Sequence, residues 1–489
     1  MMNWKTLYTV LLIVIIALFL RTYHLKTVPP GLYPDEAMNG SNALEAIRSS
    51  DYKVFYPENN GREGLFINIQ AQFLKFLLPL NDNEPEPWML RLPSAIFGTL
   101  TVLGLYFFVK TLFSEGAALF SSFFLATSFW HILFSRIGFR AIMAPLLLVW
   151  SLYFLTRAIW HGSEKKPKLH VWLALVGGAL YGLGFYTYIA YRVTPLLFLM
   201  FLPFFKNMKN FWRVFGIFLL ATFVVALPLG MYYLANPADF LGRTAQVSVF
   251  SSETPLKDLA VNTVKTLGMF HVRGDWNWRH NFAGKPELFW PVGIVLIVGL
   301  ATSAYYSLRM RDARSLPPLL TFGWFALALL PVVVSNEGIP HALRSILLVP
   351  PVFIFAGVGA NWIYERLKTR TALHPLIRNT AITALAVVFF AEAYISYFIF
   401  WAKNPNTPGA FSADYVELGK TINALPRNTP KYVVVRSGGT LVRGIPMPAQ
   451  TVMYITNTYG EAERKEKNVH YLLPDEEDQI PRGSLVFYL

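Results

Sequence analysis

Two carboxylates stand side by side at Asp35-Glu36, and an acid–base pair, Arg62-Glu63, precedes the next helical pattern. A carboxylate at the edge of an apolar bundle can act as a general base toward an attacking hydroxyl or amine, typically worth about 10²–10⁴ in rate. Adjacent carboxylates also repel, which sets their proton affinities apart. A plainer reading fits the same residues. Pro34 precedes them and a helical pattern runs on to Arg48, so the acids also suit a first helical turn at the positive end of the macrodipole. Arg62-Glu63, flanked by Gly61 and Gly64, is either a solvated ion pair in a turn or a place where Glu63 orients a sugar hydroxyl or an acceptor amine.

Arginines supply the opposite charge. Arg136 and Arg140 end a hydrophobic hairpin, Arg192 follows an aromatic cluster, and Arg344 closes NEGIPHALR. Each alone can snorkel to lipid head groups. Together they run against the depletion of basic residues from outer loops, and guanidinium groups match phosphate in bidentate fashion. A lipid phosphate or pyrophosphate is the ligand such a cluster suits. Tyr186, Tyr188 and Tyr191, with Trp276 and Trp278, form either an interfacial aromatic belt or a stacking surface for sugar rings. His271, His280 and His341 show no recognisable metal-ligand spacing. No metal and no other cofactor is expected, and the absence of cysteine excludes disulfides and thiolate sites.

The elements that must position these groups are mostly apolar. The 489 residues have a mean hydropathy of +0.40 and are 54% hydrophobic, and the apolar residues come in runs of about twenty that carry almost no charge, as membrane spans do. About eleven spans are predicted, near 7–20, 91–109, 116–134, 141–157, 171–186, 193–205, 214–234, 288–308, 317–335, 345–363 and 380–401. Alternate connections hold Lys110, then Arg157 with Lys165, Lys166 and Lys168, then Lys206, Lys209 and Arg213, then Arg309, Arg311 and Arg314, then Arg366, Lys368, Arg370 and Arg378. Those short basic loops mark the cytoplasmic face. The net charge of +14 is therefore largely topological, and nucleic acid is excluded as a partner. Lys5 followed by Leu7 to Leu20 reads as an uncleaved signal anchor, because no small-residue cleavage site follows.

An odd number of spans sends the C-terminus outside. In the first outer connection Phe66, Ile69, Phe73, Phe76 and Leu77 share one face of a helix that should lie in the interface. A long outer loop near 235–287 contains a second amphipathic piece and the run HVRGDWNWRHN. Beyond residue 402 the character changes. Asp414 to Leu425 reads as a helix with Ser412 as N-cap, and KYVVVRSG, VHYLL and SLVFYL read as strands. The expected fold is an all-α polytopic membrane domain over 1–402, with interfacial helices in its first outer loop, followed by a small exoplasmic α/β domain over 403–489.

These segments resemble a known family. PGLYPDEAMNGSNALEAI, GREGLFINIQAQFLKF, RLPSAIFGTLTVLGLYFFVKTLF, SRIGFRAIMAPLLL, YTYIAYRVTPLL, GDWNWRHNFAGKPELFWPVG and IPHALRSILLVPP are similar to bacterial type C glycosyltransferases. That group includes relatives of the dolichyl-phosphate-mannose protein mannosyltransferases and of the lipid A aminoarabinose transferase. The resemblance covers about 1–400 and implies a hexosyl- or pentosyltransferase in the cytoplasmic membrane. Its donor would be a polyprenyl-phosphate-linked sugar and its acceptor a glycan, lipid or protein on the outer face. It maps the family's catalytic Asp onto Asp35 with Glu36 beside it, the acid before the second juxtamembrane helix onto Glu63, and donor-phosphate arginines onto Arg136, Arg140 and Arg344. The outer-loop motifs bring Arg62, Tyr186, Tyr188, Arg192, Arg273, Asp275 and His341 into the substrate-binding set. Where many relatives read Glu-Lys-Pro or Lys-Pro-Pro around Glu63, this chain reads Arg-Glu-Gly. A lipid-linked sugar flippase or an envelope-assembly scaffold is the alternative; a transporter would place ionisable groups mid-span, and here only Glu392 does so.

Overall fold

In the computed structural model the residues described are 3–160, 167–206, 208, 210–240, 249–309, 315–335, 338–370 and 374–489. Among them, eight helices are long and apolar enough to cross a membrane: Trp4–Thr22 (α1), Pro87–Leu112, Arg140–Trp160, Phe211–Ala235, Trp290–Arg309, Leu316–Val333, Ile346–Thr369 and Pro375–Trp401. Shorter apolar helices, Glu115–Ala126, His170–Gly184 and Ile189–Met200, fall on the other three predicted spans. The chain is a polytopic, mainly helical membrane protein. The span predicted over 116–134 breaks at Thr127, because the Ser128 hydroxyl accepts the His131 N–H at 3.4 Å and starts a new helix, Phe129–Phe134.

Small residues let the helices approach closely. A Cβ on Gly299 would lie 1.8 Å from the Phe355 carbonyl oxygen, and one on Gly359 would lie 2.0 Å from that of Val295. The helices Trp290–Arg309 and Val349–Arg370 thus cross backbone to backbone. Glu392 has a local explanation. Its Oε1 accepts from Lys285 Nζ at 2.9 Å and from Ser396 Oγ at 2.7 Å, so the charge is paired rather than free along a transport path.

The connection after α1 holds a helix at Pro34–Ser49 (α2), a small antiparallel pair of Phe55–Tyr56 (β1) with Arg62–Glu63 (β2), and a helix at Leu65–Leu77 (α3). The α3 face buried in protein is Phe66, Ile67, Gln70, Ala71 and Leu74. That differs from the predicted apolar face, of which only Phe66 is fully buried while Phe76 is 74% exposed. The helix is apolar on two sides. One packs against α2 and the helix Pro87–Leu112, and the other is left for lipid.

The last segment contains a parallel sheet in which Lys431–Val434 (β3) lies between Val469–Leu472 (β6) and Leu485–Tyr488 (β7). Between β3 and β6 come a hairpin, Leu441–Val442 (β4) with Ile445–Pro446 (β5), and the helices Ala449–Thr456 and Glu461–Lys467. The predicted helix forms over Ala413–Ala424, but Ser412, at φ +50°, makes no capping bond. This segment is docked on α2. Thr451 Oγ1 donates to the Leu32 carbonyl at 2.9 Å, Tyr454 is fully buried beside Gly40, and Val416, Tyr454 and Ile455 share one core with Leu32, Ala37 and Leu44.

Candidate functional site

The N-terminal turn of α2 points two neighbouring carboxylates in different directions, since successive helical residues are about 100° apart. Glu36 turns inward and is fully buried. Its two oxygens take Arg91 Nε at 2.9 Å and NH2 at 3.0 Å, and Oε2 also accepts the Gly138 N–H at 2.6 Å. Arg91 fills its remaining valences on the carbonyls of Pro29 and Gly31. Glu36 is therefore corrected from a catalytic neighbour to a brace that ties α2, the helix Pro87–Leu112 and the Ser135–Arg140 loop together.

Asp35 turns outward, half-buried, onto a cavity of about 580 Å³, a size suited to a small polar ligand. One oxygen of Asp35 accepts Asn59 Nδ2 at 2.6 Å. The β1–β2 loop can deliver that amide because Asn59, Asn60 and Gly61 take successive left-handed conformations, at φ +53°, +61° and +79°. Among the described residues lining the cavity, Asp35 is the only carboxylate, and it shares the wall with Arg62, Arg140, Arg279 and Arg344.

Each arginine is held in a different manner. Arg62 is buried and donates to Asn39 Oδ1 at 2.7 Å and Asn42 Oδ1 at 2.6 Å, a pair one turn apart on α2. Burial lowers its pKa to about 10, helped by the charge of Arg140 and opposed by Asp35. It stays cationic at neutral pH. Arg140 donates from Nε to Glu63 Oε2 at 2.8 Å, and Arg192 approaches Glu63 Oε1 at 3.7 Å. Glu63 thus pairs with both arginines, of which Arg140 lines the cavity. Arg279 stacks on Tyr33, 3.5 Å from the ring centroid, and has no ion pair with a carboxylate among the described residues. Burial lowers its pKa to about 10 as well. It is the guanidinium best disposed to take an incoming anion.

Tyr188 and His341 also line the cavity; Glu36, Glu63, Arg136, Tyr186, Arg192, Arg273 and Asp275 do not. Arg136 is fully buried and donates to the carbonyls of Leu20, Tyr23 and Val28, at 3.1, 2.7 and 2.8 Å. The expected phosphate ligand is a structural clasp on the end of α1. Tyr186 donates to the Val225 carbonyl at 2.8 Å and accepts the Leu229 N–H at 3.2 Å, bridging the helix Phe211–Ala235 beside Pro228. Arg273 is exposed and lies over Trp276 at 5.1 Å. Arg192 donates to the Phe240 carbonyl and the Tyr233 hydroxyl, both at 2.9 Å.

Asp275 lies immediately behind the wall. Its Oδ2 accepts the Ala342 N–H at 2.8 Å and faces His280 Nδ1 at 3.2 Å and His341 Nδ1 at 3.8 Å. Its Oδ1 accepts the Asn277 N–H at 2.8 Å. Burial lowers the pKa of His280 against the pull of Asp275. Burial, His280 and the nearby arginines hold His341 well below the usual imidazole range. His271 lies apart, with Nε2 2.9 Å from the Gly293 carbonyl. Spacing had offered no sign of the Asp275–His280–His341 convergence, because the two histidines come from separate loops.

Sequence reasoning also passed over Arg279, Asn39 and Asn59. Arg279 stood inside the quoted run HVRGDWNWRHN, and a basic doublet, Arg279-His280, between tryptophan and asparagine was the available signal. The wall supplied by Ser412, Tyr415 and residues 438–440 had no signal at all.

Residues 71–232 match the family described as dolichyl-phosphate-mannose-protein mannosyltransferase. ArnT from Cupriavidus metallidurans, bound to undecaprenyl phosphate, superposes with a TM-score of 0.62 at 13% identity, over 94% of this chain and 89% of its own. The Archaeoglobus fulgidus oligosaccharyltransferase, tethered with an acceptor peptide containing the NVT sequon, gives 0.58 at 13% identity over 97% of this chain. AglB from Archaeoglobus fulgidus, in complex with an inhibitory peptide and a dolichol-phosphate, gives 0.57 at 12% over 93%. The chain spans 64% of the length of each of these two archaeal structures. No curated protein matches it by sequence. The fold is shared with these solved structures, in line with the sequence resemblance to type C glycosyltransferases.

Proposed function

We propose that the protein transfers a sugar from a polyprenyl-phosphate-linked donor to a glycan, lipid or protein acceptor at the outer face of the cytoplasmic membrane. The observation that carries this reading is a cavity in which, among the described residues that line it, one carboxylate stands with four arginines. The acceptor hydroxyl or amine attacks the anomeric carbon from the side opposite the phosphate. A new bond forms at that carbon as its bond to the phosphate oxygen breaks, so the configuration inverts. The electron pair leaves with the phosphate, and the acceptor's proton goes to Asp35. Asn59, holding one Asp35 oxygen, leaves the other to face the nucleophile. Arg279, with Arg140 and Arg344, stabilises the charge that grows on the phosphate, and preorganised charge of this kind is often the largest catalytic contribution.

The relatives' bound undecaprenyl phosphate and dolichol-phosphate support a lipid-linked donor. The test is mass spectrometry of lipids and envelope glycans from cells with and without the gene. The expected result is accumulation of one lipid-linked sugar together with loss of one glycosylated product. No change in either would refute the reading.

A further inference from the structure

The tip of the β4–β5 hairpin reaches across to the loop that holds Asp35. Arg443 and Gly444 alone join the two strands, at φ +51° and +79°. Positive φ at both central residues is the pattern of a type I′ turn, whose first position is ordinarily Asn, Asp or Gly. An arginine there is an exception, and a side chain kept in a disfavoured backbone setting points to a use for it. Its contacts show what that use is. Arg443 donates to Glu58 Oε1 from Nε at 3.2 Å and from NH2 at 2.9 Å, and NH2 also donates to Glu45 Oε2 at 2.9 Å. The guanidinium stacks over Tyr459, 4.4 Å from the ring centroid. Glu58 takes two further donors, the Tyr459 hydroxyl on Oε1 at 3.2 Å and Asn42 Nδ2 on Oε2 at 2.9 Å. A single exposed ion pair holds little, but several groups closing on one carboxylate fix its geometry.

Glu58 is the residue before Asn59, and the loop it opens needs an outside hold. Asn59, Asn60 and Gly61 are left-handed in succession, whereas chains visit that region as single residues. Within the loop the Gly61 N–H reaches the Glu58 carbonyl at 3.3 Å, a long bond for a conformation of this cost. The grip on the Glu58 side chain supplies the rest. Consecutive Cα atoms are about 3.8 Å apart, so a displacement of Glu58 is passed to Asn59. The Asn59 amide is the group that sits 2.6 Å from Asp35.

We propose that Arg443 is a positioning residue for the transfer: through Glu58 it fixes Asn59 against Asp35, and so sets which oxygen of the base faces the acceptor. This rests on the transferase reading. It gives the last segment a part in the reaction without any contact between Arg443 and the reacting atoms.

The experiment is a double-mutant cycle on the full-length protein in detergent, with Arg443→Gln, Asn59→Ala and the two combined. Arg443→Gln should lower kcat by roughly three- to five-fold, the value of a partly exposed ion pair, with donor KM and melting temperature unchanged. Arg443→Lys, which keeps the charge without the planar fork, should recover part of the rate. In the Asn59→Ala background Arg443→Gln should change kcat by less than about two-fold, because the residue it acts through is gone. Wild-type kcat in Arg443→Gln, or an equal loss in both backgrounds, would overturn the proposal. A second readout needs no sugar transfer: backbone hydrogen exchange across 58–64 should quicken in Arg443→Gln at neutral pH, and unchanged exchange would overturn the proposal whatever the assay gives. Failure of the transferase reading is seen separately, as wild-type protein that transfers no sugar, and the exchange comparison then still decides whether Arg443 holds the loop.

Discussion

Asp35 and Glu36 are neighbours in the chain and opposites in the molecule. Glu36 is sealed against Arg91 and a backbone amide, with no solvent exposure. Asp35 meets one amide and opens on a cavity of four arginines. One step around a helix separates a carboxylate buried in an ion pair from one that lines a cavity. The contrast extends to the cations: Arg91 and Arg136 spend their donors on Glu36 and on backbone carbonyls, whereas Arg279 keeps its charge unmatched by any described carboxylate. Buried charge held by backbone carbonyls and by Glu36 keeps the loops in place. Charge left partly unpartnered at the surface of a cavity is what a substrate can use.

Breaking the two sides should give different failures. The largest effect is expected for Asp35→Asn, which should lower transfer by about 10²–10⁴ while leaving insertion and melting temperature unchanged. Glu36→Gln should do the reverse. Loss of one member of a buried pair costs about 3–5 kcal/mol, so thermal melting in detergent should fall sharply, and any loss of activity should follow the loss of folded protein. Third, Arg279→Gln should weaken donor binding by roughly ten- to one-hundred-fold, the value of a charge-assisted contact of about 1.5–3 kcal/mol. Its melting temperature should hardly move. Unchanged donor affinity in a titration would remove Arg279 from the phosphate site.

The smallest effect concerns the last segment's grip on the β1–β2 loop. Arg443, at the tip of the β4–β5 hairpin, donates to Glu58 Oε1 at 2.9 Å and Glu45 Oε2 at 2.9 Å. Burial alone would raise the Glu58 pKa, but Asn42, Arg443 and Tyr459 outweigh it and the pKa falls below its ordinary value of 4.5. A depressed carboxylate contributes stability above its unfolded pKa and loses it as pH falls through the folded one. Protection factors for hydrogen exchange across 441–446, taken relative to the intrinsic exchange rate at each pH, should therefore fall below about pH 4, by the equivalent of less than about 1 kcal/mol for so exposed a pair. Protection factors that do not change with pH would contradict this linkage.

The bundle was readable because hydropathy is a local property: blocks of apolar residues need no partner to announce themselves. The strands at 431–434, 469–472 and 485–488 were readable for the same reason, from β-branched and aromatic runs between turns. Asp35 was legible from its acidic pair and its motif. Its separation from Glu36 was not, because Arg91 and Gly138 come from elsewhere in the chain. Arg136 misled for a related reason. An arginine at the outer end of a hairpin looks alike whether it faces lipid phosphate or three carbonyls in the last turn of α1 and the segment just after it. The grouping of Asp275, His280 and His341 and the cavity wall from residues 438–440 exist only after folding.

The central claim is that Asp35 takes the acceptor's proton in an arginine-lined cavity. The most direct test is the sugar-transfer rate of Asp35→Asn set beside that of wild type, in the same membranes and at equal folded protein. The account predicts a loss of about a hundred-fold or more with donor binding retained. Transfer at the wild-type rate would contradict it.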